Sequence, residues 1–424
     1  MSTQAKAQKL AESVLMEASE PRPAARQPIL DLHGKTHGYQ VLFWNGEQLP
    51  AGKEGLAAGV LPGAGHDASL DAAGSVDLER LSCGLPAFVT CAANSLGGEQ
   101  VRALPPRITV LELPADTEAT PALLASCGKL KAAGFRLALA GFTGSSGFWS
   151  LVELADYVKV DIAQVDAATR RGLFRRLDDC PARAVATHVE TQEQYGEVCR
   201  EGFDLFQGYY FCHPEPLKSH RIPGNRLVHL EILEDLQNEP TDMNRLSQLV
   251  KCDAGLTYRL LRLVNSPVCA MRQEVTSIQS ALMLVGEATF RRIAMVAIAN
   301  DFNTGQPAEI LRMAFERGRF CELAAGLCGL SPSEQYLVGM VSLFPAMLRI
   351  LMDDLVRLLP LRTEAREALA GKANQERLLL RWREAEEAGD WAACDALVRE
   401  NGVDHGQVMR CHREAVAWAD AALK

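Results

Sequence analysis

Ile108-Thr109-Val110-Leu111-Glu112-Leu113, then residues 120–133, then Phe135-Arg136-Leu137-Ala138-Leu139, is the stretch that decides the fold. The outer pieces are short, apolar and partly β-branched, which is the composition of strands, and the middle piece reads as a helix. Strand, helix, strand in about 30 residues predicts parallel pairing through a crossover. Working outward, Ala87-Phe88-Val89-Thr90 precedes this unit. Tyr157-Val158-Lys159-Val160-Asp161, Ala184-Val185-Ala186 and Leu205-Phe206-Gln207-Gly208-Tyr209 follow it, with a helical stretch at 192–201. So many alternating units suggest a barrel.

Upstream, Pro28-Ile29-Leu30 and Tyr39-Gln40-Val41-Leu42-Phe43 flank the polar His33-Gly34-Lys35, which predicts a hairpin. Residues 45–84 are rich in Gly and Ala and read as loop. Residues 1–20 read as a short helix or tail, closed by Glu20-Pro21-Arg22-Pro23. Beyond Pro214-Glu215-Pro216 almost all periodicity is helical. Asp253 reads as a cap before Leu256, Leu260, Leu261 and Val264, and Asn265-Ser266-Pro267 stops that helix. Ser277 caps the next, through Ile278, Ala281, Leu282 and Val285, and Gly286 ends it. Met340-Val341-Ser342-Leu343-Phe344 reads as core. The expected organisation is a tail (1–22), an α/β barrel (23–217) and an all-α domain with a C-terminal helical extension (218–424).

A chain of 424 residues suits two or three domains. No run approaches the roughly 20 apolar residues of a membrane helix, and no signal-peptide core opens the chain. A net charge of −9 repels phosphate backbones, and no local basic patch stands out to offset it, so neither nucleic acid nor membrane is expected as a partner. The twelve cysteines form no C-x-x-C pair and read as reduced thiols of a cytoplasmic protein; Cys321 and Cys328 are expected on one helix face. His66-Asp67 sits in the Gly/Ala-rich loop and lacks the rigid helix a metal dyad needs. His405 and His412 share a helix face with no carboxylate expected beside them.

The opening segment from Arg26-Gln27-Pro28-Ile29 to Gly38-Tyr39-Gln40-Val41-Leu42-Phe43 resembles that of EAL-type cyclic-di-GMP phosphodiesterases, in the version fused to an HDOD domain. Leu111-Glu112-Leu113, Lys159-Val160-Asp161, Ala186-Thr187-His188-Val189-Glu190-Thr191 and Gln207-Gly208-Tyr209 fit the family's strands in order. Leu256–Pro267 and Val275–Leu282 with Val285-Gly286 resemble the HDOD signature. The resemblance implies a TIM-like (β/α) barrel of EAL type followed by an all-helical HDOD domain.

It also implies where two divalent cations would be held, by carboxylates and an asparagine at the strand ends. The metal-binding glutamate maps to Gln40, the asparagine to Thr90, and the paired aspartates to Ala140 and Gly141. The presumed base maps to Thr187, the loop glutamate to Ala115 and the phosphate-contacting arginine to Trp44. Glu112, Lys159, Glu190 and Gln207 are kept, with Asp161 as a further carboxylate. Two divalent cations bring about four positive charges; Glu112, Glu190 and Asp161, less Lys159, answer with far too little. Glu112 and Lys159, expected on neighbouring strand ends, are read as pairing with each other, with a retained nucleotide-contacting role as the alternative. Leaving aside Ala115 and Trp44, these positions mark a vestigial pocket, with no catalytic residue, no metal and no cofactor.

The expected function is that of a non-catalytic bacterial signalling regulator acting through protein contacts. The resemblance suggests a diguanylate cyclase, a transcription regulator or a two-component protein as partner, and self-association is compatible with the helical half. A cyclic-di-GMP receptor that binds without cutting is the alternative, and an active phosphodiesterase ranks last.

Overall fold

The computed structural model describes residues 24–43, 77–114, 117–142, 149–177, 180–212, 229, 232, 243–251, 254–265, 275, 277–303, 305–358 and 361–423. Contacts divide the chain into two units. One comprises Met1–Ile29 and His37–Thr187, the other Leu30–Thr36 and His188–Lys424. The expected residue 217/218 boundary lies outside the described residues, as do Asp253, His66-Asp67, Trp44 and Ala115.

Eight strands close into a barrel in chain order. They are β1 (Ala24–Asp31), β2 (Thr36–Phe43), β3 (Ala87–Thr90), β4 (Thr109–Leu113), β5 (Arg136–Leu139), β6 (Tyr157–Asp161), β7 (Arg183–Thr187) and β8 (Leu205–Gln207). The hairpin is present: Gly34 takes a left-handed φ of 70°, and Asp31 accepts from the backbone N–H of His33 and Lys35 at 2.8 and 2.9 Å. From β2 to β7 every pairing is parallel, with Thr90 opposite Glu112 and Glu112 opposite Ala138. Strands β3, β4 and β6 are almost wholly buried. That follows from a barrel wall packed on both faces, and it explains why they read as apolar runs without alternation.

The connecting helices are α1 (Leu78–Leu81), α2 (Glu99–Ala103), α3 (Pro121–Ala132), α4 (Trp149–Val152), α5 (Ala167–Leu177) and α6 (Gln192–Glu201). The Thr120 side chain accepts from Leu123 N–H and Pro121 fills the first turn of α3, so its start is set locally. Thr191 and Gln194 form a reciprocal capping box on α6, and Gly202 at φ 104° ends it. Helices α1, α2, α4 and α5 were not singled out from the sequence, which left the helix content of residues 45–84 open. Three of them have only four or five residues, too short for periodicity to register.

The helical half comprises α7 (Met243–Lys251), α8 (Ala254–Val264), α9 (Ile278–Val285), α10 (Glu287–Phe302), α11 (Ala308–Ala324), α12 (Pro332–Val341), α13 (Phe344–Leu348), α14 (Met352–Leu358), α15 (Thr363–Leu369), α16 (Leu378–Glu387), α17 (Trp391–Glu400) and α18 (His405–Ala422). Ser277 caps α9 and Gly286 ends it, as expected. Asn265 does more than stop α8: its amide donates to Val275 C=O at 2.9 Å and accepts from Val275 N–H at 2.7 Å. Met340, Val341, Leu343 and Phe344 are core. Helices α11 and α12 touch through glycines: a Cβ on Gly339 would lie 2.5 Å from the Arg317 carbonyl, and one on Gly318 would lie 2.5 Å from Met340.

Two expectations need correction. Helix α11 ends at Ala324 and Cys328 lies on a following 3-10 turn, Ala325–Cys328, so it does not share a helix face with Cys321. His405 and His412 both have carboxylate neighbours, Asp395 at 3.4 Å and Glu386 at 3.5 Å, which arrive from α17 and α16 and are remote in sequence. Among the described residues every cysteine is a free thiol.

Candidate functional site: a lysine held inside the barrel

Parallel strands of a barrel send alternate side chains inward, and each interior layer is drawn from every second strand. Gln40 on β2, Glu112 on β4 and Lys159 on β6 meet in this way. The Lys159 ammonium donates to Glu112 Oε2 at 2.7 Å and to Gln40 Oε1 at 2.6 Å, and all three side chains are buried. The strands of Glu112 and Lys159 are not neighbours, since β5 lies between them. The expected pair therefore forms across the interior, because layer membership decides which side chains meet.

The surroundings complete the hydrogen bonding. Gln40 turns its amide nitrogen to the Phe88 carbonyl and to Thr90 Oγ1, both at 3.4 Å. A glutamate here would present a second carboxylate oxygen to those acceptors. The Phe88 ring lies 5.5 Å from the ammonium, a further favourable contact for a cation. Phe88 was not singled out from the sequence, because an apolar strand residue carries no sign of the cation it will face.

The other candidates are placed as follows. Ala140 and Gly141 follow β5 and carry no side-chain oxygen; Ala140 N–H bonds Leu113 C=O at 2.8 Å, and Gly141 turns the chain at φ 62°. Asp161 is buried at the end of β6 and accepts from Ala163 N–H at 2.9 Å, holding the loop. The Thr187 hydroxyl donates to Val160 C=O at 3.3 Å. Gln207 ends β8, buried, and the Glu190 N–H bonds Gln194 Oε1 at 2.7 Å. Just beyond Gly141, Phe142 packs edge-on against Trp149, whose indole is covered by the Arg176 guanidinium at 3.7 Å.

Divalent cations do not fit this donor set. Hard cations require several anionic oxygens converging at about 2.0–2.6 Å. Glu112 is already bonded to an ammonium, Gln40 offers a neutral oxygen to the same ammonium, and Ala140 and Gly141 have no side-chain oxygen. Among the described residues no group of three or more His, Cys, Asp or Glu side chains could hold a metal ion. The lysine supplies the positive charge that Glu112 requires.

A family model of the EAL domain matches residues 94–214, and a model of the HDOD domain matches residues 222–381. The chain carries an EAL domain followed by an HDOD domain. Two relatives share this chain nearly end to end at 27% identity. One is the uncharacterized protein YuxH of Bacillus subtilis, over 404 residues, 93% of this chain and 97% of the relative. The other is the cyclic di-GMP phosphodiesterase CdgJ of Vibrio cholerae, over 401 residues, 93% of this chain and 91% of the relative. Among solved structures, the c-di-GMP complex of the PaMucR phosphodiesterase is matched at 20% identity and a TM-score of 0.35, over 45% of this chain and 95% of that one. The c-di-GMP-bound FimX EAL domain of Pseudomonas aeruginosa is matched at 22% and 0.34, over 47% and 94%. The EAL barrel here and the helical half with its HDOD match agree with the fold expected from the sequence. Among the described residues no helix is long and apolar enough to cross a membrane.

Proposed function

We propose that this EAL–HDOD chain is a non-catalytic regulator in cyclic-di-GMP signalling that acts through protein contacts. The observation that carries the reading is that Gln40 offers a neutral oxygen, given to the Lys159 ammonium at 2.6 Å inside the barrel, where the resemblance calls for a metal-binding carboxylate. Two-metal hydrolysis places cations about 3.5–4 Å apart to activate water and stabilise the leaving oxygen. Gln40, Ala140 and Gly141 supply no carboxylate to hold such a pair, and an ammonium already hydrogen-bonded to Glu112 and Gln40 has no open coordination site for a water. Thr187, at the position of the presumed base, cannot accept a proton near neutral pH.

The similarity to CdgJ favours the opposite reading, an active cyclic-di-GMP phosphodiesterase. Turnover of cyclic di-GMP by the full chain with magnesium or manganese separates the two. The regulator reading expects no linear dinucleotide above the no-protein control, and metal-dependent release removed by a chelator would refute it. Calorimetric titration with cyclic di-GMP then separates a receptor from a purely protein-contacting regulator. The partner classes suggested by the domain pair are a diguanylate cyclase, a transcription regulator or a two-component protein.

A further inference from the structure

The second unit holds two of the retained side chains, Glu190 and Gln207, together with helices α11, α12, α16 and α18. Within it the segments carrying those two residues are interlocked. Val189 N–H bonds Gln207 C=O, and Tyr210 N–H bonds Val189 C=O, both at 3.1 Å. Gly208 sits between them at φ 150°, where a Cβ would lie 2.1 Å from the Val189 carbonyl oxygen. The two segments therefore move as one piece, with no side chain between them to give way.

The next residue leaves this piece. The Tyr209 hydroxyl donates to the backbone carbonyl of Glu387, the last residue of α16. That carbonyl is one of those a helix end leaves without an intrahelical partner. Glu387 is itself fixed in a buried charge cluster. Arg317 of α11 forks onto its carboxylate at 3.0 and 2.6 Å, and Arg383 Nε approaches it at 3.3 Å. Arg383 also reaches Glu316 at 2.8 Å, Glu386, and His412 Nδ1 of α18 at 2.8 Å. On the far side Arg317 donates to Ser342 Oγ at 3.0 Å. Burial holds the Cys212 thiol well above its ordinary range, with Arg317 opposing and Glu387, Glu309 and Glu190 adding to the rise. One thiol thus lies within electrostatic reach of both the retained glutamate and the helical arginine.

We propose that Tyr209 is a coupling strut, tying the interlocked segment that carries Glu190 and Gln207 to the Arg317–Glu387–Arg383 core, so that a displacement of either is felt by the other. A buried network of this kind has discrete arrangements rather than a continuum, which is what a two-position device needs. In a regulator that does not cut its nucleotide, occupancy beside Glu190 and Gln207 would be read out by α11, α16 and α18. This use rests on the proposed function, whereas the coupling itself does not.

Residue-resolved hydrogen exchange on the full-length free chain tests the coupling. Tyr209→Phe keeps the ring and removes one hydrogen bond, so the amides of Val189 and Tyr210 and those of Ala388 and Gly389 should all exchange about two- to tenfold faster. Coupling is reciprocal, so Ser342→Ala, on the opposite side of the cluster, should accelerate Val189 and Tyr210 as well. Tyr195→Phe perturbs the same segment from its other side: Tyr195 stacks on Tyr210 at 4.4 Å and its hydroxyl bonds Leu32 C=O, so it should loosen residues 188–212 and, through Tyr209, Ala388 and Gly389, and the second effect should vanish when Tyr209→Phe is added. The proposal is overturned if Tyr209→Phe acts only on residues 205–212, if Ser342→Ala leaves Val189 unmoved, or if the effect of Tyr195→Phe on Ala388 and Gly389 is absent or is as large in the Tyr209→Phe background as in the wild type. Exchange is read without nucleotide, so failed coupling and unexpected turnover give separate results.

Discussion

Lys159→Met leaves the Glu112 carboxylate buried without its cation and Gln40 Oε1 without its donor. The side chains of Lys159 and Glu112 are only 5% and 4% exposed, so water cannot replace the lost bonds in place. Breaking a buried pair from one side costs about 3–5 kcal/mol, against a total stability on the order of 5–15 kcal/mol. Glu112→Gln leaves the ammonium unpaired and should cost a comparable amount. The double variant Lys159→Met/Glu112→Gln removes both charges, and its two neutral amides can meet. It should be less destabilised than the sum of the singles, with a coupling energy of about 2–4 kcal/mol. Urea unfolding of the full chain, followed by circular dichroism across the four proteins, measures this directly. The wild type should also show no rise in its unfolding midpoint with manganese, because among the described residues no group of three or more His, Cys, Asp or Glu side chains could hold a metal ion. Near-neutral single variants, a coupling energy below about 1 kcal/mol, or a clear manganese stabilisation would each refute the reasoning. Any of them would mean that the ammonium is solvated and the carboxylate is free to bind a cation.

Further outcomes follow from other parts of the fold. Asn265→Ala removes both bonds to Val275 and should lower stability by about 1–3 kcal/mol, with Asn265→Asp, which keeps the acceptor, in between; urea midpoints rank them. Gly339→Ala sets a methyl 2.5 Å from the Arg317 carbonyl, so α11 and α12 must separate; a loss of several kcal/mol, on the order of other overpacked cores, should appear as a clear drop in melting temperature. Burial pushes the Cys321 thiol up to about 12, from an ordinary value near 9. The folded state therefore holds that proton more tightly than the unfolded chain. Its stabilising contribution is complete below about pH 9 and declines as pH rises toward 12, so alkaline unfolding should be blunted in Cys321→Ala after correction for the cavity. Cys83 is exposed and should react with a thiol reagent in the native state, whereas Cys321 should react only on unfolding.

The fold was largely legible because its strands carry their own signals. Thr109–Leu113, Arg136–Leu139 and Tyr157–Asp161 are mostly apolar, buried runs separated by helix-length connections, so parallel strands were the consistent reading. The local stops were equally readable: Ser277, Gly286 and the turn at Gly34 act through atoms within a few residues of themselves. Helices of four or five residues escaped, since one turn has no period to detect.

The candidate site divides in the same way. The chemistry at the positions the resemblance marks was visible residue by residue, because Gln40, Thr90, Ala140, Gly141 and Thr187 are chemical identities that folding cannot alter. Its surviving interactions were not. That Lys159 reaches Glu112 past β5 and also takes Gln40 follows from three alternate strands sharing one interior layer, which depends on barrel closure and register. In the same way, no local pattern brings Tyr209 to Glu387 or His412 to Arg383, which are 178 and 29 residues apart along the chain. Composition and local spacing indicated which elements form. Only the closed fold decided which of the remaining charges would satisfy one another, because a buried charge is stabilised by whatever is packed against it in space.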